Sequence, residues 1–309
     1  MPFRPKLVVE VRHGLGNRLR AYLAAAEVAA RSGRALTLVW TPDAHCNATF
    51  DALFARPPGL CVRTALPPTE AGAAALFYDY MGARARPTLN TSARADVVVR
   101  SAYLLVADVV DTTSRAARAS LEARARRLRP SPAVAALLAT ALRPVRPPFV
   151  AVHLRTESDP TRDLPRRAAT DASEVDDARA TLQHRRRCQA ARYAPAALQL
   201  ATRLRARSVV VASDRAAAAH EHFAGEAWSR AVAADAARRG GAPPARVEVH
   251  PLRQGARCFA DPRQAPCVQL AAAHMLALSR GRGLVPSAWS SFSEVVEWMG
   301  RFRATRRVC

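Results

Sequence analysis

The 309-residue chain contains no isoleucine and a single lysine, Lys6. Nearly all of its 47 basic residues are therefore arginine, and against 25 acidic residues they give a formal net charge of +22. Nucleic-acid binding exploits such a surplus, because basic side chains gain affinity by releasing counterions from phosphates. The two absences supply a competing cause. Avoidance of Lys and Ile beside abundant Ala, Arg and Pro marks a GC-rich coding sequence, which favours Arg whatever the function. The arginines are scattered, aromatic residues make up only 6% of the chain, and no aromatic-interleaved basic platform occurs, so no nucleic-acid partner is expected.

Long hydrophobic runs are also missing. No stretch approaches the roughly 20 apolar residues that span a bilayer, and residues 1–6 are not followed by a signal-type hydrophobic region. Neither a membrane span nor an export signal or anchor is expected within the chain. There is no CxxC pair to suggest zinc. Of the six cysteines, Cys46 with Cys61 and Cys258 with Cys267 are close in sequence and flanked by Pro-rich loops. Those two disulfides are expected, with Cys188 and Cys309 free or joined. Asn47-Ala48-Thr49 and Asn90-Thr91-Ser92 satisfy the glycosylation sequon. Paired cysteines would put the protein in the secretory pathway, in the ER or Golgi lumen; the cytoplasm is the alternative.

Half of the residues are hydrophobic, and the length suffices for a full core and two domains of ordinary size. Residues 6–12 read as a first strand, His13-Gly14-Leu15-Gly16-Asn17 as a glycine turn, and residues 18–31 as a helix with Leu19, Leu23, Ala26 and Ala30 at helical spacing. Gly14 and Gly16 permit backbone angles and a close approach that other residues resist, and a following helix offers N–H groups to an anion. Residues 34–40 complete a βαβ unit. A short helix over 51–54, a short strand over 60–64, another strand within 95–107 and two helices within 113–142, interrupted by Pro130 and Pro132, follow. Between 67 and 95 several Pro and Gly residues blur the boundaries. Residues 144–148 break the pattern, and this divides the chain into domains 1–145 and 146–309.

The second half restarts with residues 149–159, an apolar run that ends abruptly in charge and reads as a buried parallel strand. His153 and Arg155 lie two apart at its tip and share a side, so one can hold a ligand while the other forks onto a phosphate or carboxylate. A solvated, charged strand end is the competing reading. A long polar loop covers 162–187. Then come a helix over 193–205, a strand over 208–212, a cap at Ser213-Asp214 for a helix from Arg215, a helix over 268–279, a short strand over 283–285 and a last helix over 294–302. Ser290, Ser291 and Ser293 gather at the start of that helix. Serine is a favoured N-cap, which accounts for one of them; several hydroxyls with free N–H groups also make a phosphate cradle.

These features describe an α/β chain of two Rossmann-like domains with a cleft between them, in which the C-terminal half would hold a nucleotide diphosphate. Gly14-Leu15-Gly16-Asn17-Arg18, His153-Leu154-Arg155 with Asp159, Ala212-Ser213-Asp214 and Ser290-Ser291-Phe292-Ser293 occur in that order. In this order they resemble the motifs of the fucosyltransferase superfamily that includes α1,2-, α1,6- and protein O-fucosyltransferases. The resemblance spans nearly the whole chain. It implies a GT-B-like fold and inverting transfer of L-fucose from GDP-fucose to a glycan or protein acceptor, with no cofactor and no required metal. It makes Arg155 the group that stabilises the leaving pyrophosphate, with His153 beside it on the nucleotide. It places Gly14, Gly16 and Asn17 near the donor phosphate and sugar, with Asn17 in a catalytic role, Asp214 towards the nucleoside, Ser291 with Ser293 on the β-phosphate, and Ser290 and Phe292 among the donor-binding residues. Glu157, Asp159 and Asp163 are candidate bases for the acceptor hydroxyl, Asp159 being the one assigned a catalytic role. The chain departs from the common pattern at Thr156, where many members carry a second Arg, and at His274, where an acidic residue is usual. A GT-B enzyme using another nucleotide sugar, and an inactive nucleotide-binding relative, are the alternatives.

Overall fold

A computed structural model of the chain describes residues 5–66, 75–81, 86–155, 190–214, 216–238, 240, 247–253, 258 and 263–308. Two compact units emerge, one of Met1–Val134 with Arg263–Gln269 and one of Ala135–Pro262 with Leu270–Cys309. The change-over falls after Val134, inside a helix, rather than in residues 144–148, and a short later segment returns to the first unit.

The first unit runs β1 (Lys6–Val11), α1 (Leu15–Ser32), β2 (Ala35–Val39), α2 (Phe50–Leu53), β3 (Cys61–Arg63), β4 (Ala75–Asp79), β5 (Asp96–Ser101), the hairpin β6 (Val106–Ala107) and β7 (Val110–Asp111), and α3 (Arg115–Ala125). Helix α4 (Pro132–Leu142) then crosses into the second unit. The break between α3 and α4 falls at Pro130 and Pro132 as expected, and Pro132 takes the first helical position, which needs no N–H partner. The sheet has the order β3-β2-β1-β5-β4, with every pairing parallel. β1 is central and buried beyond Lys6, as expected of an apolar run covered on both faces. Helix α1 ends at Gly33, whose φ of 69° gives the left-handed turn that stops it.

Arg34, 3% exposed, braces the end of this sheet at which β1 and β2 begin. Its guanidinium donates to the carbonyl of Thr91 at 3.0 and 2.9 Å, to Lys6 at 3.0 Å and to Ala95 at 2.8 Å, and also to Ala93. The buried Thr91 carbonyl would otherwise have no donor.

The second unit contains β8 (Phe149–Leu154), a 3-10 turn at Ala190–Arg192, α5 (Tyr193–Leu204), β9 (Ser208–Ser213), α6 (Ala216–Phe223), α7 (Gly225–Arg238), β10 (Glu248–Pro251), α8 (Ala265–Leu278), β11 (Gly283–Val285), α9 (Ser291–Met299) and β12 (Ala304–Thr305). α8 starts within the returning segment of the first unit. The strand order is β10-β9-β8-β11-β12, again all parallel. β8, β9 and β11 are buried at every residue. Each fully buried Val or Leu there contributes about 1.5–3 kcal/mol. Gly283 lets α5 press onto the sheet: a Cβ would meet Leu204 Cδ1 at 2.6 Å and Leu200 Cδ2 at 2.9 Å.

One expected disulfide is absent. Cys46 and Cys61 are both free thiols, the first buried and the second exposed. The register of β3 sets Cys61 beside Thr37 in the middle of β2. Cys46 is held beyond the far end of β2, where its N–H donates at 3.1 Å to the carbonyl and at 3.1 Å to the carboxylate of Asp43. Cys258 and Cys267 are both disulfide-bonded, whereas Cys188 and Cys309 lie outside the described residues. Burial pushes the Cys46 thiol up from its ordinary pKa. In native protein, alkylation should therefore reach Cys61 at once and Cys46 only on unfolding, with Cys258 linked to Cys267 in non-reducing peptide maps. Recovery of a Cys46–Cys61 peptide would contradict this arrangement.

Candidate functional site

In the second sheet the chain moves outward from β8 to β9 and β10, then returns to β11 and β12 on the other side. The strand order therefore reverses between β8 and β11. Open α/β sheets bind ligands in the crevice outside the carboxyl ends of the strands at such a point. The residues singled out in the second half gather there.

His153, 6% exposed, is the next-to-last residue of β8. Its Nδ1 lies 2.7 Å from Ser293 Oγ, and its ring stacks on Phe292 with centroids 4.6 Å apart. Ser293 Oγ also accepts the Ser287 N–H at 2.9 Å, and the Tyr193 hydroxyl reaches Ser287 Oγ at 3.5 Å. Ser290 is the N-cap of α9, its hydroxyl accepting from the Ser293 N–H at 3.4 Å. The helix thus begins at Ser291, three residues before the expected start, because capping by Ser290 organises its first turn. Ser291 takes the first helical position and is half-buried, and its hydroxyl makes no hydrogen bond among the described residues. Trp289, just before the cap, has a φ of 52° and is exposed.

Arg155 follows directly after β8, with its Nε 4.0 Å from Asp214 Oδ2; the two side chains are 30% and 28% exposed. That separation makes a Coulombic pair rather than a hydrogen bond. Asp214 follows β9 directly, and its N–H donates to the Leu154 carbonyl at 3.4 Å. His153, Arg155, Asp214 and the Ser290–Ser293 turn therefore share one strand-tip region. Thr156, Glu157, Asp159 and Asp163 lie outside the described residues, as do the loop over 162–187 and Arg215.

Gly14, Gly16 and Asn17 belong to the first unit, at the tip of β1. Its sheet also reverses order at β1, between β2 and β5. Gly14 is the N-cap of α1 with φ −69°, and a Cβ there would meet nothing within 4 Å. The left-handed residue of the turn is His13, with φ 65°. Gly14 is thus not required by its backbone angle, contrary to the expectation from the glycine turn. Asn17 sits in the first helical turn, where its Oδ1 accepts from Arg20 Nη2 at 3.1 Å.

Arg18 organises this turn and was not among the expected site residues. Its side chain is fully buried, 2.6 Å from Asp43 Oδ2. It donates to the carbonyls of His13 at 2.7 Å and Thr41 at 2.6 Å, and lies over the Trp40 ring. The available signal was an Arg on the apolar face of α1, between Leu15, Leu19 and Tyr22. Among the described residues no group of His, Cys, Asp and Glu could hold a metal ion, and no helix is long and apolar enough to cross a membrane.

No protein-family model matches the chain, and no curated protein matches it in sequence. Solved structures match in fold. Fucosyltransferase NodZ from Bradyrhizobium superposes with a TM-score of 0.50 at 13% identity, over 96% of this chain and 94% of that one. A point mutant of FUT1 from Arabidopsis thaliana, in complex with GDP, gives 0.58 at 13% identity, over 98% and 70%. POFUT1 in complex with GDP gives 0.55 at 16% identity, over 100% and 99%. The chain is similar to these proteins in fold: α/β, GT-B-like, with two Rossmann-like units.

Two histidines, the half-buried His13 and the buried His274, make stability pH-dependent. Burial, then the neighbouring His45, pulls the His13 pKa from 6.5 to about 4, against the opposing pull of Asp43. Burial does the same to His274 in α8, again to about 4. The unfolded chain takes up these protons near pH 6.5 and the folded chain only near pH 4, so stability is lost as pH falls through that window. The slope is at most about 1.4 kcal/mol per pH unit for each group, and less for the partly exposed His13. His274→Gln should flatten the acid-side decline in urea unfolding measured at pH 7, 6 and 5. An unchanged slope would show that His274 titrates normally.

Proposed function

We propose that this chain, which has the fold of the fucosyltransferases, is an inverting glycosyltransferase that transfers L-fucose from GDP-fucose to a hydroxyl of a glycan or protein. The observation that carries the reading is the convergence, at the β8/β11 reversal, of Arg155, His153 and the N-terminus of α9. Those residues stand in the motifs that resemble the superfamily, in a fold whose solved members include complexes with GDP. A secretory compartment belongs to the same proposal, supported by the disulfide-bonded Cys258 and Cys267.

The chemistry needs no group beyond side chains and backbone N–H. As the anomeric carbon loses GDP, negative charge grows on the β-phosphate and positive character on the sugar. A guanidinium and helix-end N–H groups directed at that phosphate lower the barrier, because they bind the charge more tightly as it develops. Arg155 supplies the fork, and the Coulombic pair with Asp214 restrains its stem side. The first N–H groups of α9 have no intrahelical acceptor and meet an anion with the positive end of the helix dipole. Ser291, with its uncommitted hydroxyl, is the serine assigned to the β-phosphate. Asn17 keeps the catalytic assignment that the motif gives it, and Asp159 remains the assigned base.

Two experiments test this. Arg155→Lys should fold normally and lose about 10²–10³ in transfer rate from labelled GDP-fucose on a glycan and peptide array, since lysine cannot reproduce the bidentate fork. Wild-type turnover would remove Arg155 from the mechanism. Transfer from another nucleotide sugar, or binding with no transfer, would favour the corresponding alternative. Ser291→Ala should weaken GDP binding by about 10- to 100-fold, the worth of a hydrogen bond to a charged group, and leave GMP binding unaffected. Equal losses for both nucleotides in calorimetric titration would sink the phosphate assignment.

A further inference from the structure

The hydroxyl of Ser293 sits where hydrogen-bond accounting fixes the state of a neighbour. A serine Oγ carries one proton and two lone pairs. Ser293 is 3% exposed, so water does not complete its bonding. The Ser287 N–H at 2.9 Å takes one lone pair. Among the described residues, His153 Nδ1 at 2.7 Å is the acceptor within reach of the hydroxyl proton. If Nδ1 carried a proton, as in the imidazolium or the Nδ1–H tautomer, two N–H donors would point at Ser293 Oγ. Its own proton would then be buried without an acceptor, which native structures avoid.

We propose that Ser293 is a positioning residue that holds His153 as a neutral imidazole protonated on Nε2. The serine is itself fixed from two sides, by the Ser287 N–H and by its place in the first turn of α9, where its own N–H bonds the capping Ser290. Phe292 stacks on the imidazole and restrains its plane. The chain from the Ser287 backbone through Ser293 to Nδ1 therefore places the ring proton on Nε2. In its consequence for binding, this rests on the proposed function: an imidazole of fixed tautomer and plane at the β8 tip keeps the strand-tip region ordered for a nucleoside diphosphate. The role also separates Ser293 from Ser291, since the Ser293 hydroxyl is committed within the protein.

Nitrogen-15 NMR of the histidine side chains in the ligand-free protein tests the assignment without reference to GDP. His153 should show a pyridine-like Nδ1 and a pyrrole-like Nε2 at neutral pH. Ser293→Thr, which keeps a hydroxyl, should preserve that pattern, and Ser293→Ala should mix the two tautomers while circular dichroism remains unchanged. A protonated Nδ1 in the wild type, or an unaltered tautomer in Ser293→Ala, overturns the proposal; if the Ala variant fails to fold, the wild-type and Thr spectra decide. GDP titration then reads the consequence, with about a tenfold loss expected for Ser293→Ala and none for Ser293→Thr. If the wild type does not bind GDP, the donor reading fails, while the tautomer result stands or falls by the spectra.

Discussion

The constraint on which the structure depends is the burial of parallel strands on both faces. A strand such as β8, buried from Phe149 to Leu154, cannot solvate a charge along its length. Polar chemistry can enter only at its end, where the pleat stops and the next residue meets the loops. All strands of the sheet run in one direction, so their polar ends collect on one side. The reversal between β8 and β11 opens the place where a helix N-terminus and two strand tips can meet a ligand. His153, Arg155 and Asp214 lie where a buried strand ends and charge becomes affordable.

What the sequence revealed follows from that same constraint. β8, β9 and β11 were readable because a strand buried on both sides is written as an unbroken apolar run, and β11 matched its expected limits of 283–285. β4 and β10 were not: both are half-exposed along their length, β10 shows neither a run nor a clean alternation, and β4 lies in the stretch where Pro and Gly residues blur the boundaries. Helix α7 was missed for a related reason. Its buried residues are Ala231 and Asp235, so the large apolar stripe that marks an amphipathic helix is lacking. A chain biased to Ala and Arg weakens this signal wherever a helix packs through small side chains.

The candidate site was legible in its members but not in its wiring. The motif order named His153, Arg155, Asp214 and the serine turn, and the topology brings them to one strand-tip region. Which serine does what could not be read from three similar residues within four positions. A single geometric fact separates their roles: with Ser290 as cap, Ser293 falls on the third helical position and its side chain turns into the unit, towards His153 and Ser287. The left-handed backbone at His13 was equally hidden, because the two glycines that follow it, Gly14 and Gly16, are the residues expected to take such an angle.

Arginine shows most clearly where composition misleads. Read as a total, the 47 basic residues reflect coding bias and say little. Arg18 and Arg34 are nevertheless the polar residues on which the first unit turns. Arg34 spans four backbone carbonyls at the starts of neighbouring segments, and Arg18 ties the His13 and Thr41 carbonyls to the Asp43 carboxylate. A lysine with one rotating ammonium could not reach such divergent acceptors at once, whereas a planar guanidinium meets them with donors already spread. An arginine on the surface of this chain therefore carries almost no information, and one on the apolar face of a helix or between two buried strands carries a great deal. Burial pattern, rather than residue count, is what converts a biased composition into a structural statement.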